Sequence, residues 1–182
     1  GLYLFFSRFT MPLYPATAQF EAEGELQKIK SLFFKVTKFV VAASLLIFFL
    51  LYTGAHSLMR AWMGEGFHQA AETLKILLFG YFVLSITIMP DAIMYGIGKA
   101  RIISTEVLCR LGLQILLGLF LIPRKGIEGA ALALSLSTVG VGIPFFILKS
   151  EYLGVRPREL IWKMMFLPVI LGILAFLFFL RL

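Results

Sequence analysis

The chain alternates long apolar runs with short polar clusters, and the runs have the length of membrane-crossing helices rather than of buried strands. A hydrocarbon core of roughly 30 Å takes about 20 apolar helical residues at 1.5 Å each. Five runs meet that length: Phe39–Met59, Leu74–Gly98, Ile102–Ile122, Ile127–Leu148 and Leu160–Leu180. A sixth, Leu2–Ala18, is apolar but reads as truncated at its start. The pattern predicts an all-α integral membrane protein, a polytopic helical bundle of about five full transmembrane helices plus one truncated N-terminal helix. Residues 1–20 form the truncated helix and 21–38 an amphipathic cytoplasmic linker. Residues 39–148 form a four-helix part, and 149–182 a cytoplasmic loop with an additional transmembrane helix. The layout is expected to be the C-terminal part of a longer protein.

The polar breaks carry their own signals. In LIPRKGIEGAALALS (Leu121–Ser135), Pro123 has no backbone donor to continue a helix and Gly126 suits a non-helical bend. The stretch therefore predicts a reversal between two spans. Beyond it, Ala130, Ala133, Ser137, Gly140 and Pro144 recur at steps of three and four. Such small residues on one face let a neighbouring helix approach closely. In EAEGELQKIKSLFFKVTK (Glu21–Lys38), Leu26, Ile29, Phe33 and Val36 make one apolar stripe, which predicts a helix lying at the interface.

Composition strengthens the membrane reading. Hydrophobic residues make up 60% of the 182 and charged residues only 15%; a soluble domain carries about 25% charge. The net charge of +7 is unevenly placed. With connections numbered alternately by side, one side receives Lys28, Lys30, Lys35, Lys38, Lys99, Arg101, Lys149, Arg156, Arg158 and Lys163, ten in all. The other side receives five: Arg60, Lys75, Arg124, Lys125 and Arg181. The positive-inside rule puts the first set in the cytoplasm. The basic excess is then a topology signal with an affinity for anionic membrane lipids, and nucleic acid is not an expected partner.

Charges inside spans are costly, about 2.5–3.5 kcal/mol each on insertion scales, and face a bundle interior or an aqueous cavity. Glu106 and Arg110 stand one helical turn apart, spaced for an ion pair. The pair either fixes helix packing or offers Arg110 to an anionic substrate. Asp91 follows Pro90. It is a candidate proton or cation site, a cap for a half-helix, or a partner of Lys99 or Arg101. Arg8, in the truncated helix, has the same two readings as Arg110. These four are the candidate substrate-binding residues.

Catalytic and metal sites are not expected. GIGKAR (Gly96–Arg101) lacks the GxxxxGK[ST] spacing of a phosphate loop. His56 and His68 stand twelve apart without a metal-binding spacing. No cofactor is implied, and coupling to H+ or Na+ stays open. The single Cys109 reads as a packing residue.

Four stretches in order, MPLYPATAQFEAEGELQKIKSLFFKVTKFV, WMGEGFHQAAETLKILL, YGIGKAR and LIPRKGIEGAALALS, resemble the C-terminal half of polysaccharide-biosynthesis flippases of the O-antigen and exopolysaccharide transporter type. These belong to the superfamily that also holds the MATE multidrug exporters and the lipid II flippase. The resemblance implies the C-terminal lobe of a MATE-like fold, a two-lobed bundle around a central cavity that opens to each side in turn. It implies a plasma (inner) membrane transporter, not an enzyme. The substrate would be an undecaprenyl-pyrophosphate-linked oligosaccharide for polysaccharide or O-antigen synthesis, with cationic cavity residues, Arg110 and Arg8, drawing the pyrophosphate. The implied partners are the N-terminal lobe, a polysaccharide polymerase and glycosyltransferases. The alternatives are a MATE-type cation-coupled multidrug exporter resting on Asp91, and a non-transporting scaffold.

Overall fold

The structure, a computed structural model, describes residues 13–155. Four helices follow one another: α1 Leu13–Ala22, α2 Leu26–Met63, α3 His68–Gly96 and α4 Ala100–Tyr152. Each of α2, α3 and α4 is long and apolar enough to cross a membrane, and the described residues are all-helical and fit a membrane protein. The runs at 2–18 and 160–180, and with them the count of about five or six spans, fall wholly or largely outside the described residues.

At 53 residues, α4 would run about 80 Å if straight, far beyond a bilayer. It is instead folded back on itself. Gly126 has φ 55° and ψ −128°, outside helical geometry, which divides α4 into arms of 26 residues each, 100–125 and 127–152. Glycine takes that backbone conformation without the penalty a side chain would incur. The second glycine of the motif is equally constrained. A Cβ on Gly129 would stand 2.2 Å from the Leu121 carbonyl oxygen, so the returning arm lies directly on the backbone of the outgoing one. The predicted reversal is present, and each arm, at about 39 Å, suffices to span the hydrocarbon core.

Three helix ends share one device. After α3, the Gly98 N–H donates to Tyr95 (3.1 Å) and the Lys99 N–H to Met94 (2.8 Å), while Gly98 sits at φ 72°. This is a Schellman turn, in which a left-handed residue lets the last carbonyls of the helix find donors. The same pair of bonds recurs at Gly24 after α1 and at Gly154 after α4. GIGKAR is thus a helix stop.

These three turns lie at one end of the bundle, around a core of Ile29, Phe33, Met89, Ile93, Met94, Ile103, Leu153 and Val155. Ile29 and Phe33 belong to the stripe expected on an interfacial helix. Here they are 1% and 0% exposed, and residues 26–38 continue unbroken into the span as the first turns of α2.

The central helix is α3, packed against α2 on one side and α4 on the other. Its most apolar window is 56% buried, against 22% for α2 and 33% for α4. A close approach to α4 lies at Gly80, where a Cβ would meet the Ser135 Cα at 3.0 Å. There the Ser135 hydroxyl donates to the Ile76 carbonyl at 2.8 Å. Without water to drive helices together, small residues and such bonds hold them. The small-residue face expected on the second arm is therefore displaced. Ala133 and Ser137 are buried, but Ala130, Gly140 and Pro144 are exposed. The stripe that faces α3 instead runs Ala131, Ser135, Thr138 and Gly142.

Candidate functional site

Three charged side chains meet where α3 and the two arms of α4 come together. Lys149, on the second arm, donates to the carboxylate of Asp91 on α3 and to that of Glu106 on the first arm. The Lys149 side chain is 0% exposed, Glu106 3% and Asp91 18%. Asp91 lies five residues before the end of α3 and Glu106 six after the start of α4. The cluster thus sits about 8–9 Å inside the end that carries the Schellman turns.

Local sequence explains the placement. The inward stripe of the second arm runs Ala131, Ser135, Thr138, Gly142 and Phe146, at steps of four, three, four and four. Three residues further it reaches Lys149, which helical periodicity carries to the same face. This face packs against α3, and the reversal at Gly126 brings the first arm alongside, where Glu106 is one of the few buried residues. Pro90 lies wholly buried in α3 beside Asp91 and cannot donate to the Ile86 carbonyl.

The charge balance is informative. Lysine offers three donors and no acceptor, so one ammonium can serve two carboxylates. Two ionised carboxylates on one ammonium leave one negative charge over. Arg110, half-buried one turn beyond Glu106, lies within electrostatic reach of Asp91. A buried charge is tolerated only when paired and hydrogen-bonded, and this cluster meets that condition while joining three helical segments. Chemically it can hold a proton or a cation on the carboxylate side, or present a cation to an anion if Lys149 is freed.

The predicted site residues meet unequally. Asp91 and Glu106 come together, through a lysine that the sequence reading had put in a cytoplasmic connection. Asp91 pairs with Lys149 rather than with Lys99 or Arg101, and Lys99 instead stands 5.7 Å from the Tyr152 ring centroid. Glu106 gives its charge to Lys149 and forms no ion pair with Arg110 among the described residues. Arg8 lies outside the described residues. Lys149 was missed because a lysine at the end of an apolar run reads as a boundary charge; the buried stripe leading into it was the available signal.

A second polar group gathers at the other end of α3. His56 Nε2 stands 3.0 Å from Glu72 Oε1, and Lys75 donates to the same oxygen at 2.9 Å. Beside them, Arg60 pairs with Glu65 in the α2–α3 connection. The His56 and His68 rings are 6.2 Å apart.

Comparison with known proteins gives one partial likeness. The chain is 26% identical over 102 residues, 56% of its length, to a Shigella flexneri protein named "Putative O-antigen transporter". That alignment spans 24% of the Shigella protein, so the chain matches about a quarter of the relative's length. No family model matches, and no solved structure matches. Together the helices and this likeness fit a membrane transporter.

Proposed function

We propose that the chain forms part of a flippase that moves an undecaprenyl-pyrophosphate-linked oligosaccharide across the plasma membrane, by alternating access, for polysaccharide or O-antigen synthesis. The likeness to a protein named as an O-antigen transporter, on a chain of membrane-length helices, carries this reading. The Lys149 cluster supports it. A paired charge group at a three-way helix contact is a bistable element, because it can exchange internal partners for a ligand. Arg110, in no ion pair among the described residues but near the cluster, is a cation placed to meet the pyrophosphate. The N-terminal lobe, a polymerase and glycosyltransferases are its proposed partners, and the basic asymmetry, nine to five once the buried Lys149 is left out, supports its orientation.

The test is Arg110→Ala in the full-length protein, in cells whose surface polysaccharide depends on it. Export should fall while the amount of protein in the membrane stays the same. Unchanged export would remove Arg110 from the mechanism.

Two carboxylates sharing one ammonium favour one other reading, a cation-coupled multidrug exporter. Asp91→Asn would then abolish drug resistance conferred by the protein. Under the flippase reading, drug sensitivity is unaltered by the protein or by this variant.

A further inference from the structure

At the α2–α3 connection a pocket of about 360 Å³ opens among His56, Ser57, Arg60, Glu65, Phe67 and His68. Its size falls within the roughly 300–1,000 Å³ of small-ligand sites. We infer that it binds a neutral saccharide ring.

The reason lies in how its charges are already used. Arg60 is ion-paired with Glu65. Just behind, His56 and Lys75 both close on Glu72. Arg60 and Lys75 each have an internal carboxylate, so an anion entering the pocket would find their positive charge neutralised and would meet the Glu65 carboxylate. A polyol has opposite needs: donors and acceptors side by side, fixed in place. Glu65 accepts, Arg60 donates, and Ser57 and the imidazoles of His56 and His68 can do either. One of the five guanidinium N–H donors goes to Glu65, and the ion pair holds both heads in position for further bonds. Phe67, half-exposed, adds an aromatic ring whose negative face attracts polarised C–H groups such as those lining one side of a sugar.

Placement gives the pocket its use. His68 opens α3 and Asp91 lies 23 residues further on, about 35 Å along the helix, so the pocket and the ion cluster occupy opposite ends of the bundle. In the proposed orientation this end faces outward, where an emerging sugar chain would meet it. That use rests on the flippase reading; binding itself does not.

Saturation-transfer NMR on the full chain in detergent tests the inference, with methyl glycosides of glucose, galactose, N-acetylglucosamine and rhamnose as probes. At least one should bind, and inorganic phosphate should not displace it. Ser57→Ala should weaken binding about fivefold, the worth of one hydrogen bond. Glu65→Gln should weaken it at least as much, while Gln69→Ala, outside the pocket lining, leaves it unchanged. Both pocket positions are exposed, and matching melting curves verify folding. No glycoside binding, displacement by phosphate, or equal binding by parent and pocket variants would overturn the inference. Glycoside binding in a protein whose loss leaves polysaccharide export intact would refute the flippase reading and spare the pocket.

Discussion

Lys149 reaches Glu106 from the opposite arm of the α4 hairpin, 43 residues later in the chain. The same ammonium holds Asp91 on α3. One cation therefore ties together three helical segments and, with the close packing at Gly80 and Gly129, fixes their rotation in an apolar solvent.

Removing that cation leaves two buried carboxylates facing each other. Lys149→Met should destabilise the protein by about 3–5 kcal/mol, the cost of breaking a buried ionic group from one side. Thermal unfolding in detergent measures it. The triple variant Asp91→Asn, Glu106→Gln, Lys149→Met should regain most of the loss, because no unpaired charge remains. If the triple variant is no better than the single one, charge is not what the lysine contributes.

The α4 reversal depends on a missing side chain. Gly129→Ala places a methyl group against the backbone of Leu121 and Ile122, where no side-chain rotation can relieve it. Such overpacking costs about 1–3 kcal/mol or more. The variant should accumulate poorly and become sensitive to protease near 121–129. Gly112→Ala, with nothing within 4 Å of the added atom, should behave as the parent.

The contact between α3 and the second arm has two parts that separate by mutation. Ser135→Ala removes the bond to Ile76 and should cost about 0.6 kcal/mol, at most about 1.7, the range for hydrogen bonds between membrane helices. Gly80→Leu forces the backbones apart and should cost several times more. Equal melting temperatures for the two variants would mean that close approach is not the stabilising feature.

Sidedness can be read with single cysteines. In a Cys109→Ala background, Arg124→Cys in the α4 turn should react with a membrane-impermeant thiol reagent in intact cells. Lys99→Cys, after the Gly98 turn, should react only after permeabilisation. The reverse pattern would invert the orientation and, with it, the direction assigned to transport.

Much of this architecture was legible because it is local. Pro123 and Gly126 announced the reversal, and the apolar run Leu74–Gly98 placed the end of α3 within two residues of Gly96. Asp91 and Glu106 stood out because charge inside an apolar run is costly. The partner of both was misread, since Lys149 in isolation looks like a boundary residue. The small-residue face was misplaced for a related reason. Ala130, Ala133, Ser137, Gly140 and Pro144 and the stripe through Ala131, Ser135, Thr138 and Gly142 lie about 150° apart around the same helix. Both are rich in small residues because the second arm has two neighbours. Gly140 faces Leu113 of the first arm, where an added Cβ would stand 3.3 Å from it, while Ser135 faces α3.

By itself the sequence determined that the helices are long and apolar enough to cross a bilayer, and where one of them doubles back. Those outcomes follow from backbone hydrogen bonding and transfer of each segment into lipid, which depend on neighbours a few residues away. Only the tertiary structure decided which stripe of each helix faces protein, and so which charges meet. A helix in lipid is apolar nearly all round, so hydrophobicity alone does not set its rotation about its own axis. Close packing at Gly80 and Gly129 and the shared ammonium of Lys149 do.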